Sequence, residues 1–134
     1  MRLFVRHDVR FLLIGGYAVN AHGYSRNTSG MDVWVARDAG NQERAVDAMR
    51  QFGYPTLSSK DFSGDRTSLR LGVSPLRIGV FKWIADVDFE DCWVRRLEFA
   101  AGDLMIPMIS REDLIRNKLA AGRPKDLLDV DELS

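Results

Sequence analysis

The sequence predicts an α/β domain: a short mixed β-sheet with helices packed mainly on one face. Three observations carry this. Phe11 to Ile14 is an unbroken apolar run stopped by Gly15-Gly16, the pattern of a strand buried on both faces. Asn41 to Phe52 sets Ala45, Val46, Met49 and Phe52 on one side, the spacing of an amphipathic helix. Elsewhere short β-rich stretches alternate with segments that carry helix-capping residues. At 134 residues the chain has the size of one domain, 1–134, and its 46% hydrophobic content suffices for a core.

The elements follow in order. Residues 2–8 read as the end of a helix, and 11–14 as the first strand. Residues 17–23 form a short helix closed by Gly23. Met31 to Val35 is the second strand. The helix from Asn41 stops at Gly53. Pro55 to Asp65 is polar and rich in Ser and Gly, and reads as a loop. Thr67 to Gly72 alternates as a half-exposed strand does, and Arg77 to Trp83 is β-rich; Val73-Ser74-Pro75-Leu76 joins them as a hairpin. Asp88 is a natural N-cap with Asp91 at the third helical position, opening a helix to about Arg96. Leu97–Ala101 and Met105–Ile109 are short strands about a Gly102-Asp103 turn. Ser110 caps a helix that ends at Gly122. Pro124 opens a last helix at its first position, with Leu127, Leu128, Val130 and Leu133 as its apolar stripe.

Composition excludes several classes. Lys+Arg and Asp+Glu balance at 19 each, so no global charge draws the chain to nucleic acid or membrane. No apolar stretch approaches the ~18 residues of a membrane span. The N-terminus, Met1 to Asp8, is too charged and short for a signal peptide, and a cytoplasmic protein is expected. Cys92 is the lone cysteine; it reads as a small buried hydrophobe with no base beside it.

Chemistry concentrates near the N-terminus. Glycines after a strand let the chain turn tightly and let a phosphate approach backbone amides. Gly15-Gly16-Tyr17-Ala18 is followed by His22-Gly23, by Arg26-Asn27-Thr28, and by Asp32 heading an apolar strand. Further on come Arg77-Ile78 before another apolar strand, and Asp113-Leu114-Ile115 with Lys118, then Gly122-Arg123-Pro124-Lys125-Asp126 with Asp129. In this order and spacing, from about Asp8 to Leu133, the chain resembles the polymerase-β-like nucleotidyltransferase superfamily in its minimal bacterial form.

The resemblance implies the nucleotidyltransferase fold and transfer of a nucleotidyl group from a nucleoside triphosphate to a hydroxyl. It implies a glycine pair, Gly15 and Gly16, at the phosphates. It also implies three carboxylates around divalent metal, usually magnesium, because two hard cations and a polyanion need converging oxygen ligands. Here the chain departs twice. Gly30 stands where the first carboxylate of an Asp-x-Asp pair belongs, and Gly79 stands at the third. Asp32 alone remains, a weak metal ligand and residual catalytic position, so magnesium binding is doubtful.

Other residues carry two readings each. His22 is a base or phosphate contact, or a side chain capping a helix end. Arg26 holds a phosphate or pairs with an acid, and Thr28 belongs to the site or turns the chain. Lys118, Arg123 and Lys125 contact nucleotide or complement a helix dipole. Lys82 could neutralise phosphate. Asp126 and Asp129 complement the opposite helix end, and Trp34 and Trp83 are core. Two functions are expected from this. One is a catalytically impaired nucleotidyltransferase relative that binds nucleoside triphosphate. The other is a non-enzymatic protein-binding module, such as a toxin–antitoxin partner, since related minimal transferases act in such pairs.

Overall fold

The computed structural model describes residues 1–23, 30–73 and 77–134. Arg26, Thr28 and the 74–76 part of the expected hairpin turn lie outside them. The described residues hold six helices and six strands. The order is α1 (Arg2–Arg6), β1 (Phe11–Ile14), α2 (Gly15–Ala21), β2 (Gly30–Val35) and α3 (Ala39–Phe52), then β3 (Ser68–Leu71), β4 (Arg77–Phe81), α4 (Phe89–Val94), β5 (Leu97–Ala101), β6 (Leu104–Met108), α5 (Arg111–Ala121) and α6 (Pro124–Leu133). The strands form one mixed open sheet in the order β3-β4-β2-β1-β6-β5. β2 runs parallel to β4 and β1 parallel to β6, while the β1–β2, β3–β4 and β5–β6 pairs are antiparallel.

β1 lies at the centre, and all four of its residues are buried, as an unbroken apolar run requires. In β2 the period of two separates Met31, Val33 and Val35 from Asp32 and Trp34. The first set faces α1 and α3: Ile78, the register partner of Met31, lines a small void there with Phe4, Met49 and Leu71. On the other face Trp34 meets Phe89 of α4 edge-to-face, with ring centroids 5.1 Å apart.

The expected caps are in place. Asp88 accepts from the Asp91 backbone N–H, Ser110 from that of Asp113, and Gly122 ends α5 in the left-handed region at φ +66°. The structure corrects several expectations. α2 starts at Gly15 rather than Tyr17, because Gly15 at φ +70° lets the chain enter the helix directly off β1. The stretch expected as plain loop holds a 3₁₀ turn at Ser59–Phe62, closed by a capping box between Ser58 and Asp61, and Phe62 is fully buried. β4 ends at Phe81, so Trp83 lies beyond it and is 40% exposed rather than core. α6 keeps only part of its expected stripe: Leu133 is buried and Val130 half-buried, but Leu127 and Leu128 are exposed, and Asp126 and Asp129 take buried places.

Candidate functional site

β1 ends where β2 begins, and the register sets Ile14 beside Asp32. On the other side of β2, Asp32 pairs with Gly79 of β4. Asp32 is therefore flanked by the start of α2 and by a glycine, on the sheet face opposite α1 and α3. Both glycines leave it room. A Cβ on Gly15 would lie 2.9 Å from Asp32 Oδ2, and one on Gly79 would lie 2.5 Å from Asp32 Oδ1. Those distances are too short for real contacts, so the carboxylate occupies the space that side chains at 15 and 79 would need.

Above this row lies a cleft of about 560 Å³, lined among others by Gly15, Asp32, Phe81, Trp83, Lys118 and Arg123. Asp32 is half-buried. Burial pushes its carboxyl above the ordinary range, against the opposing field of Arg70, Arg77, Lys125 and Lys118.

Lys118 enters the cleft from α5 but is 5% exposed and committed to α6. Its Nζ lies 2.8 Å from Asp129 Oδ2 and 3.5 Å from Asp126 Oδ1. Arg123 donates to Asp126 through Nε at 2.6 Å. Burial opposes the charge on Asp126, but Arg123 and Lys118 together hold it below the usual carboxylate range. The acids on the inner side of α6 follow from this: a buried cation on α5 needs buried acids opposite it.

Of the other expected site residues, Gly16 lies in the first turn of α2. Gly30 begins β2 and pairs with Arg77. A Cβ there would collide with the Arg77 carbonyl oxygen, a backbone atom. His22 caps the end of α2, and its Nε2 lies 3.2 Å from the Ile109 carbonyl oxygen. Lys82 projects away from Asp32. Its amine donates to the Phe62 carbonyl and to Gln42 Oε1, at 2.9 and 2.8 Å, and burial lowers its pKa. The expectation that Lys82 serves phosphate in this cleft is thereby corrected. Cys92 is fully buried, and burial together with Asp113 pushes its thiol up to about 12.

Sequence reasoning missed the arginines of β3 and its approach. Arg66 lines the cleft with its guanidinium 4.2 Å from the Trp83 ring centroid, and Arg70 lies 5.8 Å from that of Phe81. The alternation of β3 did put Arg70 on its polar side, but its partner Gly79 follows only from strand register.

The donor set does not fit a magnesium site. Among the described residues no group of three His, Cys, Asp or Glu side chains converges to hold a metal. Magnesium asks for near-octahedral oxygen ligation, and around Asp32 the remaining charged groups in the cleft are cations or acids already paired with cations.

Solved structures resemble nearly the whole chain, two of them as follows. The lincosamide antibiotic adenylyltransferase LnuA, crystallised with lincomycin, matches with a TM-score of 0.59 and 16% identity, over 98% of this chain and 90% of that one. An antigenic nucleotidyltransferase-like protein from Paracoccidioides brasiliensis matches with a TM-score of 0.60 and 15% identity, over 98% of this chain and 70% of that one. No protein-family model and no curated protein sequence matches. The likeness shows the fold, a nucleotidyltransferase fold: α/β, with a six-stranded mixed sheet and six helices among the described residues.

Proposed function

We propose that the chain binds a nucleoside triphosphate in the Asp32 cleft without transferring its nucleotidyl group. One observation carries the loss of transfer: Asp32 is alone, and its carboxylate fills the space that a side chain at position 79 would use. Activating a hydroxyl and bridging a triphosphate in this fold relies on several converging carboxylates. Retained binding is supported by the architecture and by the cations around the cleft, chiefly Arg66, Arg70, Arg77 and Arg123. The roles expected of Gly15, Gly16, His22, Arg26, Thr28 and Lys118 at the nucleotide belong to this reading.

Thermal-shift and calorimetric titration with ATP and GTP test it, beside a pyrophosphate-release assay. Saturable binding without pyrophosphate release is the expected outcome. No binding, or release that Asp32→Ala abolishes, overturns it.

A second reading, a protein-binding module, is favoured by α6. Leu127 and Leu128 are 46% and 66% exposed, and Leu119 of α5 is 55% exposed; exposed apolar surface suits a partner. Sedimentation velocity over a range of concentration, with Leu127→Ser/Leu128→Ser as control, tests for self-association through that face.

A further inference from the structure

The cleft face carries a charge pattern that the missing carboxylates alone do not produce. Opposed residues on neighbouring strands put their side chains on the same face. Asp32 opposes Gly79, and Gly79 opposes Arg70. The three form one row across β2, β4 and β3, with glycine in the middle. Strands are spaced about 4.8 Å apart, so the Asp32 and Arg70 backbones stand roughly 10 Å apart with no side chain between them. Gly30 repeats the arrangement one step along: it opposes Arg77, and a Cβ on it would lie 3.2 Å from the Arg77 Cβ. At both gaps the neighbour on the same face is an arginine.

Arg66 and Arg70 have charge to spare. Asp126 and Asp129, the nearby acids, are taken by Arg123 and Lys118. The ion pairs found among the described residues do not involve Arg66 or Arg70. Both guanidiniums instead lie over cleft aromatics, and both arginines are exposed. A planar guanidinium pairs with two phosphate oxygens at once.

We infer that these arginines stand in for metal: the cleft takes the metal-free polyphosphate of a nucleotide, and magnesium weakens its binding. This rests on the nucleotide-binding reading and adds the ionic form bound. Free ATP offers its full negative charge to Arg66 and Arg70, with the field of Arg77 added at Asp32. Magnesium on the same phosphates cancels two of those charges and sets a cation against arginines, with only Asp32 to receive it. The lone carboxylate is outnumbered in the same way, so it does not expel the phosphates.

The test is calorimetric titration of the full chain with ATP in excess EDTA and in excess magnesium chloride, at matched ionic strength, with inorganic tripolyphosphate as competitor. ATP affinity should be about tenfold higher in EDTA, and tripolyphosphate should displace it. Arg70→Gln, at an exposed strand position, should lower affinity in EDTA by about tenfold and narrow the gap between the two conditions, with an unchanged melting temperature. Arg66→Gln is the second variant, should the first fail to fold. Binding that needs magnesium, binding equal in both conditions, or failure of tripolyphosphate to compete overturns this inference and leaves nucleotide binding standing. No ATP binding in either condition sinks the nucleotide reading itself.

Discussion

Gly30→Ala is the substitution whose cost the structure fixes most directly. The added Cβ would sit inside van der Waals contact of the Arg77 carbonyl oxygen and 3.1 Å from its carbonyl carbon. Those are backbone atoms and cannot rotate aside, so the end of the β2–β4 ladder must open. Overpacking of this kind costs about 1–3 kcal/mol. Alanine also restricts the unfolded chain, which returns about 0.4–1 kcal/mol, leaving a net loss of about 1–2 kcal/mol. At about 2.1 cal/mol/K per residue, unfolding 134 residues releases about 0.28 kcal/mol/K. The melting temperature should therefore fall by about 4–7 °C. Gly79→Ala is the internal control. Its Cβ would meet Asp32 Oδ1 at 2.5 Å and Phe81 Cε2 at 2.8 Å, but both are side-chain atoms free to turn. Its loss should stay under about 1 kcal/mol, or roughly 3 °C. Differential scanning calorimetry at pH 7 separates the two. The reasoning is refuted if Gly30→Ala melts within about 1 °C of the parent, or if Gly79→Ala is the more damaging change.

Three further outcomes follow from buried groups. Because burial raises the Asp32 pKa, the folded state holds that proton more tightly than the unfolded chain; its favourable contribution is complete below about pH 4 and is lost as pH rises through the raised value. Asp32→Asn should thus be more stable than the parent at pH 7 in urea titrations, with the gain shrinking as pH falls toward 4. Asp113 behaves oppositely: burial works against its charge, but Arg95, donating to both oxygens at 3.0 Å, and Ser110 hold its pKa low. Its contribution is present above the ordinary carboxylate pKa and lost as pH falls through the lowered one, so Arg95→Ala should move acid unfolding, followed by circular dichroism, to higher pH. Cys92, fully buried with its thiol pushed up to about 12, should resist iodoacetamide at pH 8 until denaturant opens the fold; rapid alkylation of the native chain would contradict that burial.

Much of the fold was legible because its signals are local. An apolar run ended by a glycine pair marks β1, and Asp88, Ser110, Gly122 and Pro124 each act within a turn of themselves. What escaped depends on residues far apart in sequence. Leu133 is buried as its place in the apolar stripe of α6 requires, but Leu127 and Leu128 are not, because the helix turns Asp126 and Asp129 inward against the buried Lys118 of α5. Lys82 follows the pleat away from Gly79, but the Phe62 carbonyl and Gln42 that hold it come from segments 20 and 40 residues away. At the site, the glycines at 30 and 79 could be read directly, whereas the arginines beside them needed the β2–β4 and β3–β4 registers.

The two glycines differ in what surrounds them, and the difference bears on whether a carboxylate could stand at either position. At position 79 the obstacle is Asp32 itself, whose Oδ1 and Oδ2 lie within 3 Å of the Cβ positions of Gly79 and Gly15. A side chain at either place displaces the carboxylate, so an aspartate at 79 would enter only as Asp32 turned out of the gap. It would also arrive beside Arg70 and Arg77, whose field already favours a charged carboxylate at Asp32, and would join that field as their second counter-charge rather than as a free ligand for a cation. At position 30 the obstacle is the β4 backbone, and no rotamer relieves it. Gly79→Asp should therefore fold without recruiting magnesium, and Gly30→Asp should lose stability before any question of metal arises. Calorimetric titration of the Gly79→Asp variant with magnesium chloride decides the first of these: saturable heat at millimolar metal would mean that the arginines do not dominate the cleft.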